Sequence, residues 1–277
     1  MLYLNGEYFD RIEDGRVSVE DRGFQFGDGV YEVVRVYGGK PFRLAQHLKR
    51  LEGSLDGLRI PLPEPVSKIE EVCRRLIAGT SNASLYLQVT RGAAPRVHTF
   101  PKDLRPTFVA YVRAIQGYPD DKVFRLAVVR DERWNRCNLK TVALLANVLA
   151  RQAAVDAGAD EGLFVREDGT VTEGTSSNAF LVSGGRVVTH PANHRILDGV
   201  TRLAVLQVAR DAGLPVDERP FTLQEARAAD EFFMTGTVTE VMPAVQIDGR
   251  PVGRGTAGPV TLRLRDAFRE LVRRECT

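Results

Sequence analysis

Hydrophobic and polar positions along the chain alternate between two rhythms. Leu44, Leu48, Leu51, Leu55 and Leu58 recur at helical spacing, so 43–58 is read as a helix with one buried face. A second helix follows the proline-rich break at 61–65, turning Val66, Ile69, Val72 and Leu76 inward. Runs rich in β-formers predict strands over 30–36, 84–91, 107–114 and 123–130. Asn5-Gly6 between Leu2-Tyr3-Leu4 and Glu7-Tyr8-Phe9 is a strong hairpin signal. Beyond 122 the pattern predicts a helix over 142–157 ended by Gly158, and strands over 162–166, 179–183, 186–189, 231–234 and 244–247. Further helices are expected over 201–212 and 260–274, with Thr222 and Glu225 as a capping box.

Many strands, helices set outside them and no regular βαβ alternation favour a two-domain α+β fold. The polar, turn-forming stretch 115–121 is the expected linker between domains over 1–114 and 122–277. At 277 residues, 43% hydrophobic and 27% charged, the chain can bury a sizeable core. A net charge of +2 with interleaved signs gives no nucleic-acid or membrane footprint. Three scattered cysteines fit neither a disulfide framework nor a zinc site, so no metal is expected and a reducing, cytoplasmic setting is.

Chemistry gathers in a few stretches. Of 38 basic residues only six are lysines, and Lys140 alone among them follows Lys122. It lies in Trp134-Asn135-Arg136-Cys137-Asn138-Leu139-Lys140-Thr141, between an expected strand and an expected apolar helix. An amine held there against apolar residues loses preference for its charged form and becomes a nucleophile toward carbonyls. On spacing alone a surface lysine in a loop is the commoner case. The stretch Thr172-Glu173-Gly174-Thr175-Ser176-Ser177-Asn178 is a dense polar cluster between apolar strands. By itself it reads as a solvated turn; in a site, its carboxylate would face a cationic nitrogen. Gly199-Val200-Thr201-Arg202 at a helix start, and Thr235-Gly236-Thr237 after a strand, suit a phosphate, although Thr201 equally suits an N-cap. In the loop Arg91-Gly92-Ala93-Ala94-Pro95-Arg96-Val97-His98, Arg96 can grip a carboxylate bidentately and His98 can add a donor on the same side.

Taken in order, Lys140, Glu173, Gly199-Val200-Thr201-Arg202 and Thr235-Gly236-Thr237-Val238-Thr239-Glu240 resemble the fold type IV pyridoxal-phosphate enzymes over nearly the whole chain. The Arg-Gly-x-x-x-Arg-x-His loop resembles the D-amino-acid transaminase branch of that family. The resemblance implies a small N-terminal α/β domain, a larger C-terminal β-barrel-like α/β domain and pyridoxal 5'-phosphate as cofactor. Lys140 would carry the cofactor as a Schiff base and then move the substrate's α-proton. Glu173 would pair with the pyridine nitrogen, and Arg50, Val200, Thr201 and Thr237 would meet the phosphate. Ser176, Ser177, Asn178, Leu197 and Gly236 complete the implied cofactor set; Tyr31, Arg96 and His98 form the implied trap for the substrate α-carboxylate. Gly236 and Asn138 depart from the family's usual hydroxyl and acidic residues. The implied reaction passes the amino group of a D-amino acid to a 2-oxo acid, in a homodimer whose Arg96 and His98 reach the partner's site. A branched-chain L-amino-acid or (R)-amine transaminase, an aminodeoxychorismate lyase and a non-catalytic cofactor carrier stay open on the same scaffold.

Overall fold

Asn5 and Gly6 both take positive φ, 48° and 102°, which only a mirror-type hairpin turn requires. This turn pairs β1 (Leu2–Leu4) with β2 (Glu7–Phe9). The computed structural model describes residues 1–276 and divides into two compact units. The first holds residues 1–116 with the strip Leu139–Leu144 and with Glu275 and Cys276; the second holds 117–138 and 145–274.

The first unit continues with α1 (Arg22–Phe26), β3 (Gly29–Tyr37), β4 (Lys40–Pro41), α2 (Leu44–Leu58), α3 (Val66–Ile77), β5 (Ala83–Thr90) and β6 (Thr107–Ala114). Its strands form an antiparallel sheet in the order β2-β1-β6-β5-β3-β4. Alternation along β3 sends Val30, Glu32, Val34 and Val36 into the interior. There they meet Leu48, Leu51 and Leu55 of α2 and Ile69, Val72 and Leu76 of α3. Each such apolar side chain contributes about 1.5–3 kcal/mol on burial. Tyr31 and Val33 keep the opposite, half-buried face.

The second unit comprises β7 (Phe124–Arg130), α4 (Leu145–Asp156), β8 (Glu161–Val165), β9 (Thr170–Gly174), β10 (Asn178–Ser183), β11 (Arg186–Thr189), α5 (Val200–Asp211), β12 (Val216–Glu218), β13 (Phe221–Thr222), α6 (Leu223–Ala228), β14 (Glu231–Gly236), β15 (Glu240–Ile247), β16 (Arg250–Pro251) and α7 (Pro259–Cys276, to Arg274 in this unit). Strands run in the order β10-β14-β15-β7-β8-β9, and β9 pairs back onto β10 through Glu173 and Asn178, closing a barrel-like ring. Phe124, Leu126, Leu163, Val171, Leu181 and Phe232 belong to its core. The capping box of Thr222 and Glu225 forms at the start of α6 as expected.

Two expectations are corrected. The helix expected over 142–157 starts only at Leu145. Residues 140–142 stay extended because the Tyr31 N–H donates to the Lys140 carbonyl and the Val142 N–H to the Gly29 carbonyl, both at 3.0 Å. Helical backbone would forfeit both bonds. Likewise 172–178 is not one turn: Thr172 and Glu173 lie on β9, and Asn178 begins β10. Among the described residues no helix is long and apolar enough to cross a membrane.

Candidate active site

Lys140 is carried on the extended strip beside β3. Its own N–H donates to Ser54 Oγ on α2 at 3.2 Å, and Val30 and Thr141 form an isolated antiparallel bridge. Leu139 is anchored against Gly57, where a Cβ would stand only 2.6 Å from Leu139 Cδ2. Thus β3 and α2 fix the backbone while the side chain remains half-buried. Its Nζ stands 4.2 Å from the centre of the Tyr31 ring. Tyr31 stacks on Tyr86 at 5.8 Å, and Tyr86 on Tyr111 at 5.0 Å.

On the interior face of β3, Glu32 is fully buried and accepts from Arg50 Nε at 2.7 Å and Nη2 at 2.8 Å. His47 Nδ1 reaches Glu32 Oε2 at 2.7 Å. Burial would raise the Glu32 carboxyl, but Arg50 and His47 outweigh it and bring it down to about 2. Burial pushes His47 below the ordinary imidazole range. With Glu32 ionised and His47 neutral, the short contact requires the proton on Nδ1. Arg50, expected at a phosphate, is therefore held in a fixed plane by one edge.

Arg96 and His98 are exposed on the 91–100 loop and lie against one ring: Arg96 Cζ is 4.9 Å from the centre of Phe26 and the His98 ring 5.5 Å. The first residue of the motif does something else. Arg91 is buried and donates to both Asp28 oxygens, at 2.8 and 2.9 Å, and to the carbonyls of Leu58 and Arg59. It clamps the loop's base.

In the second unit Glu173 sits where the barrel closes. It accepts from Arg133 Nη1 at 2.5 Å, Asn178 Nδ2 at 2.9 Å and the Leu197 N–H at 3.1 Å. Arg133 is held from behind by Asp131, at 2.9 and 3.0 Å. Burial raises the Glu173 carboxyl above its ordinary value, and Arg133 is the main group opposing that rise. A buried carboxylate of this kind gains from a further cationic partner. Asn178 also donates to the Leu197 carbonyl at 2.8 Å, and a Cβ on Gly199 would meet Asn178 Oδ1 at 2.2 Å. These contacts bring the start of α5, with Val200 and Thr201, up to the Glu173 end of the barrel. That helix begins at Gly199 without a side-chain cap, so Thr201 is not the N-cap and no side chain caps the first-turn backbone N–H groups. Gly236 ends β14 and Thr237 follows it, both half-buried. Next to them, buried Thr235 Oγ1 has no hydrogen-bond partner.

Ser176 and Ser177 turn their hydroxyls another way. Both donate to Glu161 Oε2, at 3.1 and 3.4 Å, while the Thr175 N–H and hydroxyl donate to Glu161 Oε1. Buried Glu161 thus shapes the 175–177 turn between β9 and β10.

Residues 29–247 match the family model described as amino-transferase class IV. The chain belongs to that family. Over 98% of its length it is 39% identical to the D-alanine aminotransferase of Staphylococcus haemolyticus, covering 97% of that protein. The D-alanine aminotransferase of Bacillus licheniformis is 40% identical over 98% of this chain and 96% of its own length. Among solved structures, the branched-chain amino acid aminotransferase of Escherichia coli superposes with a TM-score of 0.90 at 27% identity, over 98% of this chain and 93% of that one. The T.th. branched-chain amino acid aminotransferase with pyridoxamine 5'-phosphate gives 0.89 at 32% identity, with the same coverage. This class IV member is a fold type IV, pyridoxal-phosphate-dependent aminotransferase.

The residues fit what the family's cofactor demands. In the first unit the Lys140 amine suits an aldehyde. In the second, buried Glu173 suits a ring nitrogen, and the uncapped start of α5 and the orphaned Thr235 hydroxyl each suit a phosphate. Sequence reasoning missed Glu32, His47, Asp131, Arg133 and Glu161. Glu32 carried a readable signal: an acid on the strand face otherwise built of Val30, Val34 and Val36.

Proposed function

We propose that this class IV aminotransferase moves the amino group of a D-amino acid such as D-alanine onto 2-oxoglutarate, giving pyruvate and D-glutamate in two successive half-reactions. The observation that carries the reading is the 91–98 loop, with Arg96 and His98 exposed side by side on Phe26 above a base clamped by Arg91. Curated relatives at 39–40% identity that bear the name D-alanine aminotransferase support it. A second reading, transamination of branched-chain L-amino acids, draws on the names of the structures with TM-scores of 0.89–0.90.

Bound pyridoxal phosphate supplies an electron sink that lets an amino acid give up its α-proton. Lys140 Nζ would hold the group through its aldehyde and, as a free amine, would accept and return the substrate's α-proton. Glu173 would pair with the protonated ring nitrogen, and Arg133, Asn178 and the Leu197 N–H keep Glu173 in place. The phosphate would be held by the N–H groups of Val200 and Thr201 and by Thr237, and Arg50 would be a further partner for it. Ser176, Ser177 and Gly236 act by shaping the turns beside Glu173 and β14. Arg96, His98 and the Tyr31 hydroxyl fix the α-carboxylate and so decide which enantiomer offers its hydrogen to Lys140.

The assembly is a homodimer in this reading. Phe24 beside the loop is 79% exposed, and on α4 Leu145, Val148 and Leu149 are each more than half exposed, apolar surface that a second copy would cover. The three buried free cysteines suit a cytoplasmic enzyme. The test is a donor panel with 2-oxoglutarate as acceptor. D-Alanine should outpace L-leucine and (R)-1-phenylethylamine by at least about 100-fold in kcat/KM; preference for either of the others would replace this reading.

A further inference from the structure

The segment 20–28, a glycine-rich stretch between Glu20 and β3, is bonded along its length to the 90–97 segment. The Arg22 N–H donates to the Gly92 carbonyl at 2.9 Å, the Ala94 N–H to the Glu20 carbonyl at 3.2 Å, and the Arg91 N–H to the Asp28 carbonyl at 3.0 Å. Asp21 and Ala93 form an antiparallel bridge. Asp21 itself is buried, accepting from the Gly23 N–H and from the hydroxyls of Thr90 and Thr107 at 2.7–2.9 Å. This much is ordinary anchoring of a loop base.

Arg22 goes further. Its side chain is 3% exposed, and it joins three things at once. Nε donates to Asp28 Oδ2 at 2.9 Å, Nη1 donates to the Val97 carbonyl at 2.6 Å, and Cζ lies 4.8 Å from the centre of Phe26. Val97 is the residue between Arg96 and His98, and Phe26 is the ring on which both of those side chains lie. One guanidinium therefore ties down the backbone between the two exposed groups and also braces their common support.

Charge is distributed to the same end. Asp28 is shared by Arg22 and Arg91, which hold its carboxyl below the ordinary range although burial pushes it up. Arg96 pairs with no carboxylate among the described residues, so its charge is not spent inside the protein. Arg96 and His98 would otherwise be long or mobile side chains on an exposed loop, losing rotamer freedom each time they bind. A mount that fixes their backbone and their stacking surface lowers that cost beforehand.

We infer that Arg22, set by Asp28 and stacked on Phe26, is the positioning residue that holds Arg96 and His98 ready for the substrate carboxylate. The inference rests on the reading of that loop as a carboxylate grip. It makes Arg22 a determinant of substrate affinity that touches no substrate itself. Both half-reactions use the same grip, so donor and acceptor suffer alike.

The test measures holoenzyme kinetics and separate cofactor titrations for Arg22→Met, Arg22→Lys, Arg96→Gln and the double variant Arg22→Met/Arg96→Gln. Arg22→Met is expected to raise KM for D-alanine and for 2-oxoglutarate roughly tenfold or more, with kcat within about threefold and cofactor affinity unchanged. Arg22→Lys keeps a charge beside Asp28 but cannot make both bonds, so it raises KM by a smaller factor. It serves as the deciding variant if the methionine form does not fold. In the Arg96→Gln background the loss of Arg22 should add less than about twofold, because the group it positions is gone. If Arg96→Gln alone leaves KM unchanged, the reading of the loop fails, and this inference with it. If Arg96→Gln raises KM but the Arg22 variants do not, or act equally in both backgrounds, or lower kcat and cofactor affinity instead, Arg22 is only structural and the inference falls.

Discussion

A single amine, Lys140, has its chemistry set by neighbours rather than by its own position in the sequence. Its backbone is bonded to β3 and to Ser54, and its Nζ meets the Tyr31 ring rather than an acid. Glu173 is the reverse case, an acid surrounded by donors. Replacing it with Gln keeps the shape but removes the charge that would hold a ring proton. Glu173→Gln is expected to lower kcat about 100-fold with little change in KM, measured under saturating cofactor. Glu32 works one step back. Glu32→Gln breaks the paired contact with Arg50 Nε and Nη2, and cofactor affinity should weaken by roughly tenfold on titration. Residue type and order are enough to single out Lys140, Glu173, Arg96 and His98 as candidates. They do not single out Glu161 and Arg133, whose partners lie 14 and 40 residues away and are brought together only by folding.

Elements are easiest to read where one face is buried against one neighbour. The leucines of α2 and the β-rich runs of β5 and β6 locate their elements to within a residue or so, because burial and periodicity agree there. The start of α4 departs from expectation because 142–144 are apolar enough for a helix, yet long-range pairing to β3 takes the backbone of 140–142 first. The stretch 172–178 departs for the opposite reason: polar side chains look solvated, but Glu173 and Asn178 are interior groups of a closing strand pair. Gly92 tests the element scale. Its φ of 106° and a would-be Cβ 2.0 Å from the Arg105 carbonyl oxygen leave no room for a side chain. Gly92→Ala should destabilise the protein by about 2–4 kcal/mol and lower Tm, with KM rising as the loop base shifts.

For the whole molecule, acid stability and assembly rest on different groups. Glu32 titrates near 2 in the folded chain against an ordinary value of 4.5, so its contribution is complete above about 4.5. It disappears as pH falls through that window toward 2. The linkage is on the order of 3 kcal/mol. Glu32→Gln should therefore be less stable than the parent at neutral pH, and the gap between their unfolding curves should narrow below about 4.5 and close as pH falls toward 2. Apolar side chains left exposed on α4 carry the second expectation at this scale. If the protein assembles as the proposed homodimer, Leu149→Lys should shift it toward monomer in light scattering, whereas an unchanged dimer would place the interface elsewhere. The mixed α+β architecture was legible as many strands with outlying helices. The return of Leu139–Leu144 to the first unit was not, because a six-residue strip carries no periodicity of its own.

The most direct measurement is chemical. Holoenzyme is reduced with borohydride, digested, and the peptide bearing the pyridoxyl label is located by mass. The label is predicted on Lys140 alone, and Lys140→Ala should yield none. A label on another of the six lysines, or unlabelled protein that still turns over, would contradict the account.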